Sequence, residues 1–561
     1  MASGDLIQRV YSSFRGVDFR GEEVNFARSP DALNMWKDYT QLDSIRTRPE
    51  MELIESFDTP VYGVFFYTVG QRRIMLVHSG VKLYKIEDGV REQLYDGLKP
   101  ARSQSFVYNM IWYFKDGLHY LQYDGETIGE VAGFIPTTSI GRRPAGGGTV
   151  YQDVNMLTGY RINTFLGDGE SVEYKLDAIH IDTDFVPIVT VDGELVEDFT
   201  WNSVDGKITF AEAPPAPLTD GQDNVSIRFR RTVSDYRERI DKCTLLQVFD
   251  NRVFFSGNVD YPNVVWHCSL NDPTYCSDLD YYNEGMDLAP VKSLIAGNNA
   301  LWVIKEPSQA NTAVFYHNPV VDAEYGKVYP SEHSSIATGC IAAGVNFNDD
   351  ICFFSDRGME AISGDITTEQ VIAHRSSMVD RKLLSEEDYR NMILEEWEGY
   401  LLVITGNKVY LADSRAMFTN ENHNEYEWFY WDMGKRITSS RVQDGVLYLG
   451  TEDGVYTLTD IESAVESYWS TPLDKFNYPQ YLKTSNKRGC TVEAKGDVSV
   501  YARTNKTEWE HIKDFENVTD YFVCRIKRKK FKDMQLKFSS LKRFVLESAT
   551  FECFIGGYIK R

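Results

Sequence analysis

A mainly β chain is what this sequence predicts: an irregular β-propeller of about six to eight blades, with one inserted and one C-terminal β-sandwich. Three observations predict it. Tyr and Phe number 34 and 31 among 561 residues, and aromatic side chains suit the pleated, half-buried surface of a strand. Short apolar runs meet at tight-turn signals. Within 110–125, M-I-W-Y-F-K-D-G-L-H-Y-L-Q-Y-D-G, two such runs flank Asp116-Gly117, and glycine accepts the positive φ that a twist-matched hairpin needs. Finally, hairpins of this kind recur roughly every 40–50 residues once one divergent stretch is set aside, which is the spacing of propeller blades. About seven such units result. The repeat is degenerate, since Trp431-Asp432 is the sole Trp-Asp pair, and an irregular barrel or a pair of sandwiches is the competing architecture.

Residues 1–60 read as an N-terminal arm. Ser29-Pro30 before Asp31-Ala32-Leu33-Asn34 predicts a capped helical turn with proline at its first position. Residues 61–145 hold consecutive hairpins, such as the one that turns at Ser79-Gly80, and form the first part of the propeller. The run Gly141-Arg142-Arg143-Pro144-Ala145-Gly146-Gly147-Gly148 reads as a linker. It lacks the Gly-Lys-Ser/Thr ending of a phosphate loop.

Residues 146–232 change character, with short alternating segments around Asp168-Gly169, Asp192-Gly193 and Gly206, as in an inserted β-sandwich. The hairpins resume over 233–465. Within this part, 377–389 has the clearest helical period. Residues 466–561 alternate again and read as a C-terminal β-sandwich.

Chemistry is hard to find. The nine histidines are dispersed and none sits in a His-Glu-x-x-His pattern. No Gly-x-Ser-x-Gly elbow is present. Carboxylate pairs such as Glu386-Glu387 and Glu395-Glu396 are expected by chance among 83 acidic residues. The aromatic segment 426–431 reads as packing rather than as a sugar platform. Eight scattered cysteines without Cys-x-x-Cys spacing read as reduced, buried thiols. Neither a catalytic residue, a metal site nor a cofactor is predicted.

Charge narrows the partners. A net charge of -24 argues against general nucleic-acid binding, because phosphates need a cationic surface. The strongest basic run is 525–532, with Arg525, Lys527, Arg528, Lys529, Lys530 and Lys532 on a predicted strand whose Ile526 and Phe531 face inward. It is the candidate docking face for an acidic neighbour, with nucleic-acid contact as the lesser reading. No apolar run approaches the roughly 20 residues of a membrane span. The N-terminus lacks a signal-peptide pattern, so synthesis in the cytoplasm is expected.

The N-terminal words F-R-G-V-D-F, R-S-P-D-A-L-N-M-W and R-T-R-P, together with the G-D-G, V-D-G, G-K-I-T-F and A-P-P words of the insert, carry a likeness. They resemble tail-hub and nozzle-type β-propeller proteins of tailed bacteriophages. The matching positions are Gly16, Asp18, Ser29, Pro30, Asn34, Arg48 and Pro49. The resemblance implies a non-enzymatic virion component that is assembled in the host cytoplasm and located in the tail. It further implies a homo-oligomeric ring, a hexamer by analogy, that meets portal, adaptor or other tail proteins. Genomic DNA would pass through the ring without specific binding. The alternative is a receptor- or glycan-binding propeller at the tail tip, with or without glycan hydrolysis. A cellular propeller scaffold is a third reading.

Overall fold

A computed structural model describes residues 5–40, 44–310, 312–323, 326–363, 371–420, 423–460 and 464–559. The chain forms two compact units. One comprises Met1–Phe66, Met75–Gly80 and Ser334–Arg561; the other comprises Tyr67–Ile74 and Val81–His333.

Among the described residues, six separate four-stranded antiparallel sheets are blades of a β-propeller. A seventh blade is formed by four antiparallel strands within 393–432, which continue into a 15-stranded sheet shared with the arm and the C-terminal strands. Blade 1 has the strands Val61–Val69, Arg72–Ser79, Lys82–Glu87 and Val90–Asp96, with residues in both units. Blades 2, 3 and 4 lie in the second unit and begin with Gln104–Tyr108, Leu245–Phe249 and Val291–Gly297. Blades 5, 6 and 7 lie in the first unit and begin with Gly344–Phe347, Ile393–Trp397 and Ile437–Gln443. Blade 7 takes its fourth strand from the far end of the chain: Glu50–Ser56 pairs antiparallel with Gly454–Thr459. Residues 50–56 therefore belong to the propeller, not to the arm.

The hairpin between the first two strands has a common cause in blades 2 to 7. Its two turn residues both have positive φ: Asn109-Met110, Asp250-Asn251, Asn298-Asn299, Asn348-Asp349, Glu398-Gly399 and Asp444-Gly445. Paired positive φ values make the turn whose twist matches the flanking strands. In 110–125, strand Ile111–Lys115 pairs with Tyr120–Tyr123 around Asp116, whose carboxylate accepts the N–H groups of Leu118 and His119. The apolar faces pack between neighbouring sheets. Phe254 and Val265 of blade 3, for example, are buried with Leu294, Leu301 and Val303 of blade 4.

The inserted domain is a six-stranded sheet facing a three-stranded one. It begins earlier than the expected residue 146, because strand Thr137–Arg142 pairs in parallel with Tyr160–Phe165. The glycine-rich run is thus a loop inside this domain and not a linker into it. Its core comprises Phe165, Tyr174, Val189, Ile208, Phe210, Ile227 and Phe229.

The C-terminal sandwich is organised by two long strands, Tyr481–Thr504 and Phe544–Tyr558. The arm is woven into it: Leu6–Tyr11 and Ile45–Thr47 pair with Phe544–Tyr558, and Ala32–Leu33 pairs with Ser467–Ser470. Strand Met35–Trp36 joins blade 6. The expected helical turn after Pro30 is instead extended chain, since strand edges on both sides satisfy its backbone. The helical period of 377–389 yields only Asp380–Leu383 and a 3-10 turn at Tyr389–Asn391, lengths at which nucleation is not recovered by propagation.

All eight cysteines are free and buried, as expected. Among the described residues no helix is long and apolar enough to cross a membrane.

Candidate functional site

Two sets of residues stood out in the sequence, and the fold gathers each of them. The first set converges into a lock that fastens the arm. Gly16 has φ +84, and a Cβ there would lie 2.0 Å from the Trp428 carbonyl oxygen, so only glycine lets the arm lie this close to blade 6. Val17 N–H then donates to that carbonyl at 2.7 Å. Asp18 donates its N–H to Ser29 O, Ser29 donates back to Gly16 O, and the Ser29 hydroxyl reaches Ser470 O at 2.7 Å. Pro30 sits in the turn between Ser29 and Asp31.

Asn34, at φ 56, is the hub. Its side-chain oxygen accepts from Arg48 Nε at 3.1 Å and from Asp432 N–H at 2.8 Å, while its amide donates to Glu466 O at 2.8 Å. Arg48 also donates to the Pro49 and Asp432 carbonyls. Burial lowers its pKa to about 10. Pro49, without an N–H, ends this pairing just before strand Glu50–Ser56 begins. The chemistry of these seven positions is hydrogen bonding of buried backbone; none presents a reactive group.

The second set is the basic run. Its expected continuous strand is only partly formed: 525–528 is irregular, Lys529–Phe531 is a strand, and Lys530 has φ 57. The expected inward residues are correct, with Ile526 and Phe531 each 1% exposed. Pairing fails at 525–528 because the facing strand bulges between Ser485 and Cys490. Gly489 in that bulge, at φ +77, would set a Cβ 2.4 Å from Ile526 N.

The bulge and the run enclose a groove of about 990 Å³ lined by Lys487, Arg488, Arg525, Lys527, Arg528 and Lys529, with Val523 among them. Arg528 is held by Glu510 at 2.6 Å. Among the described residues, no carboxylate lies within ion-pair distance of Lys487, Arg488, Arg525, Lys527 or Lys529. Lys530 and Lys532 are exposed but outside the lining. Sequence reading missed Lys487 and Arg488, which lie some 40 residues upstream and reach the groove only through strand pairing.

Groups that resemble catalytic clusters are internally satisfied. His317 Nε2 is 2.8 Å from Glu284, both fully buried, and Ser331 donates to the same carboxylate. His374 contacts Asp380 at 2.6 Å and Glu360 at 3.3 Å. Burial pulls His374 down, but the two carboxylates outweigh it and lift the imidazolium to about 10. Among the described residues no group of three or more His, Cys, Asp or Glu side chains could hold a metal ion. The aromatic segment 426–431 is buried throughout, from Tyr426 at 0% to Tyr430 at 5%.

No protein-family model matches the chain, and no curated protein matches it. Among solved structures it is similar to BamB from Moraxella catarrhalis, at 9% identity over 76% of this chain and 93% of that one, with a TM-score of 0.34. It is also similar to a glycoside hydrolase, at 6% identity over 88% and 98% of the two chains, TM-score 0.23. An exo-beta-1,3-galactanase from Phanerochaete chrysosporium follows, at 11% identity over 54% and 94%, TM-score 0.21. At these scores none carries an argument about substrate. They do correct one expectation. With two hydrolases among the similar structures, the exclusion of enzymatic activity is withdrawn, because a propeller is a scaffold on which catalytic and non-catalytic sites are both built.

Proposed function

We propose that this protein is a tail-hub or nozzle-type virion component of a tailed bacteriophage, which assembles into a ring and docks neighbouring tail proteins. The observation that carries the reading is the lock. Gly16, Asp18, Ser29, Asn34, Arg48 and Pro49, six of the seven residues behind the resemblance, with Pro30 in the turn between them, fasten the arm to blade 6 and to the C-terminal sandwich. The basic groove on a chain of net charge -24 adds a surface suited to an acidic neighbour. Labelling purified particles with an antibody to the protein tests it. Signal on the tail is expected; particles free of the protein overturn it.

A second reading is a glycan-binding propeller. Its support is an aromatic cluster on the C-terminal sandwich that follows the blades: Tyr478 and Tyr558 are exposed, and the Tyr481 ring lies 6.1 Å from Tyr478 and 4.4 Å from Tyr558. Clustered tyrosine rings offer an apolar face and a polar tip, the chemistry that sugar faces need. Binding to a glycan array that is lost in Tyr481→Ala is the expected result for this reading.

A further inference from the structure

The two sandwiches carry opposite charge. Residues 146–232, in the insert, hold 15 acidic and 6 basic side chains, a balance of -9. Residues 466–561 hold 12 acidic and 19 basic side chains, a balance of +7 within a chain of -24. Such segregation gives the two sandwiches fields of opposite sign and favours contacts between unlike surfaces of separate copies.

Each sandwich also presents a shaped element. In the insert, strand Glu194–Val196 ends its sheet, bonded only to Ile188–Val191. The hairpin turns at Asp192-Gly193, and Asp192, Glu194, Glu197 and Asp198 are exposed around Leu195, which is 62% exposed. Among the described residues no cation pairs with these four carboxylates. Three other acids of the insert are paired: Asp182 and Asp184 are held by Arg230, and Glu173 by Lys207. An unprotected edge strand with an apolar tip is a ready surface for association. In the C-terminal sandwich, the basic groove likewise lacks carboxylates and carries Val523, 47% exposed, on its wall.

We infer that the acidic 191–198 hairpin of one copy docks in the basic groove of a second copy, a head-to-tail contact between unlike surfaces. Glu194 and Glu197 meet Lys487, Lys527 and Lys529, while Leu195 covers Val523. A head-to-tail contact closes into a ring or extends as a filament. The inference rests on the assembly role proposed above and names the contact that would perform it.

The test uses the full-length protein and two charge-reversed variants. The groove variant carries Lys487→Glu, Lys527→Glu and Lys529→Glu; the hairpin variant carries Asp192→Lys, Glu194→Lys and Glu197→Lys. Sedimentation velocity at low and high salt reads self-association, and thermal melts establish that each variant is folded. Wild type should associate at low salt and dissociate as salt screens the contact. Each variant alone should associate at least about tenfold more weakly, as expected for reversed charges across an interface. Mixing the two variants should restore assembly, because each then offers the other a complementary surface.

A wild type that stays monomeric, a folded variant that assembles as wild type does, or a mixture of folded variants that stays dissociated overturns the inference. So does binding of duplex DNA by the groove without self-association. If a variant melts early, the single reversal Lys527→Glu, at an exposed side chain with no ion pair among the described residues, is measured against Glu194→Lys in the same way. Failure of the bacteriophage reading shows separately, as absence of the protein from particles.

Discussion

The insert and the C-terminal sandwich are both small all-β domains, yet they are built in opposite ways. The insert uses one continuous piece of chain. Its entry strand Thr137–Arg142 and its exit strand Val225–Arg230 flank the same strand, Tyr160–Phe165, so the chain leaves close to where it enters. Most of its buried residues form a core of their own, while Asn155, Met156 and Leu157 pack against blades 2 and 3. The C-terminal sandwich needs both chain ends: Leu6–Tyr11 pairs with residues more than 500 positions away, and Tyr11, Phe14 and Trp36 share a core with Trp469 and Phe551. Local contacts form at low loop-closure cost, whereas these must wait for the whole first unit to come together. The insert should therefore behave as a removable module and the arm as a structural necessity.

Removing the two pieces gives the largest contrast. Replacing 160–230 by a short Gly-Ser linker, which keeps Asn155, Met156 and Leu157 against blades 2 and 3, should leave the remaining chain cooperatively folded, with a melting temperature within a few degrees of wild type. Deleting 1–49 should abolish the C-terminal melting transition, because it strips pairing from two strands of the sandwich, Phe544–Tyr558 and Ser467–Ser470. Differential scanning calorimetry separates the outcomes, and equal losses would break the comparison.

Single glycines sharpen it. Gly16→Ala places a methyl 2.0 Å from a backbone carbonyl and should destabilise the first unit by about 3 kcal/mol or more. Gly193→Ala, at nearly the same φ but with nothing within 4 Å, should lower stability by only about 1 kcal/mol, through backbone strain alone.

Acid–base behaviour should differ as well. Burial lifts Glu427 to about 7 against the opposing pull of Arg28 and Arg15, which belong to the arm. The folded state then holds this proton more tightly than the unfolded chain. Stability is highest below the ordinary carboxylate range and is lost as pH rises toward 7, by up to about 3 kcal/mol from this group. In Glu427→Gln that part of the pH slope should vanish from chemical-denaturation curves.

The insert's shifted carboxylates have the opposite sign. Asp168 is lowered by Ser171 hydrogen bonds, and Asp182 is lowered, despite burial, by Thr232 and Arg230. Their contribution should hold through neutrality and fade only in acid.

The smallest lock substitution, Asn34→Ala, removes three hydrogen bonds and leaves alanine at φ 56. About 2 kcal/mol should be lost from the first unit, with the insert's transition unmoved.

Much of this architecture was legible in the residues. Aromatic-rich runs broken by turn residues gave the strands, and their recurrence gave the blades, because period-two burial and positive-φ turns are local demands that each segment meets by itself. Even so, Asp116-Gly117 is not the repeating turn, and only one repeating turn, Asp444-Gly445, is an Asp-Gly pair. Pairs such as Asn298-Asn299 and Asn348-Asp349 serve elsewhere, since asparagine and aspartate enter the left-handed region more readily than other non-glycine residues.

The sequence by itself determined the strands, the buried thiols, the negative total and the basic run of 525–532. Only the tertiary structure decided that Glu50–Ser56 completes blade 7, that seven scattered N-terminal positions form one lock, and that Lys487 and Arg488 join the basic run in a groove. The physical reason is range. Strand and turn preferences act over a few residues, whereas these arrangements depend on backbone pairing across 40 to 500 residues, and such pairing is chosen by the packing of the whole sheet.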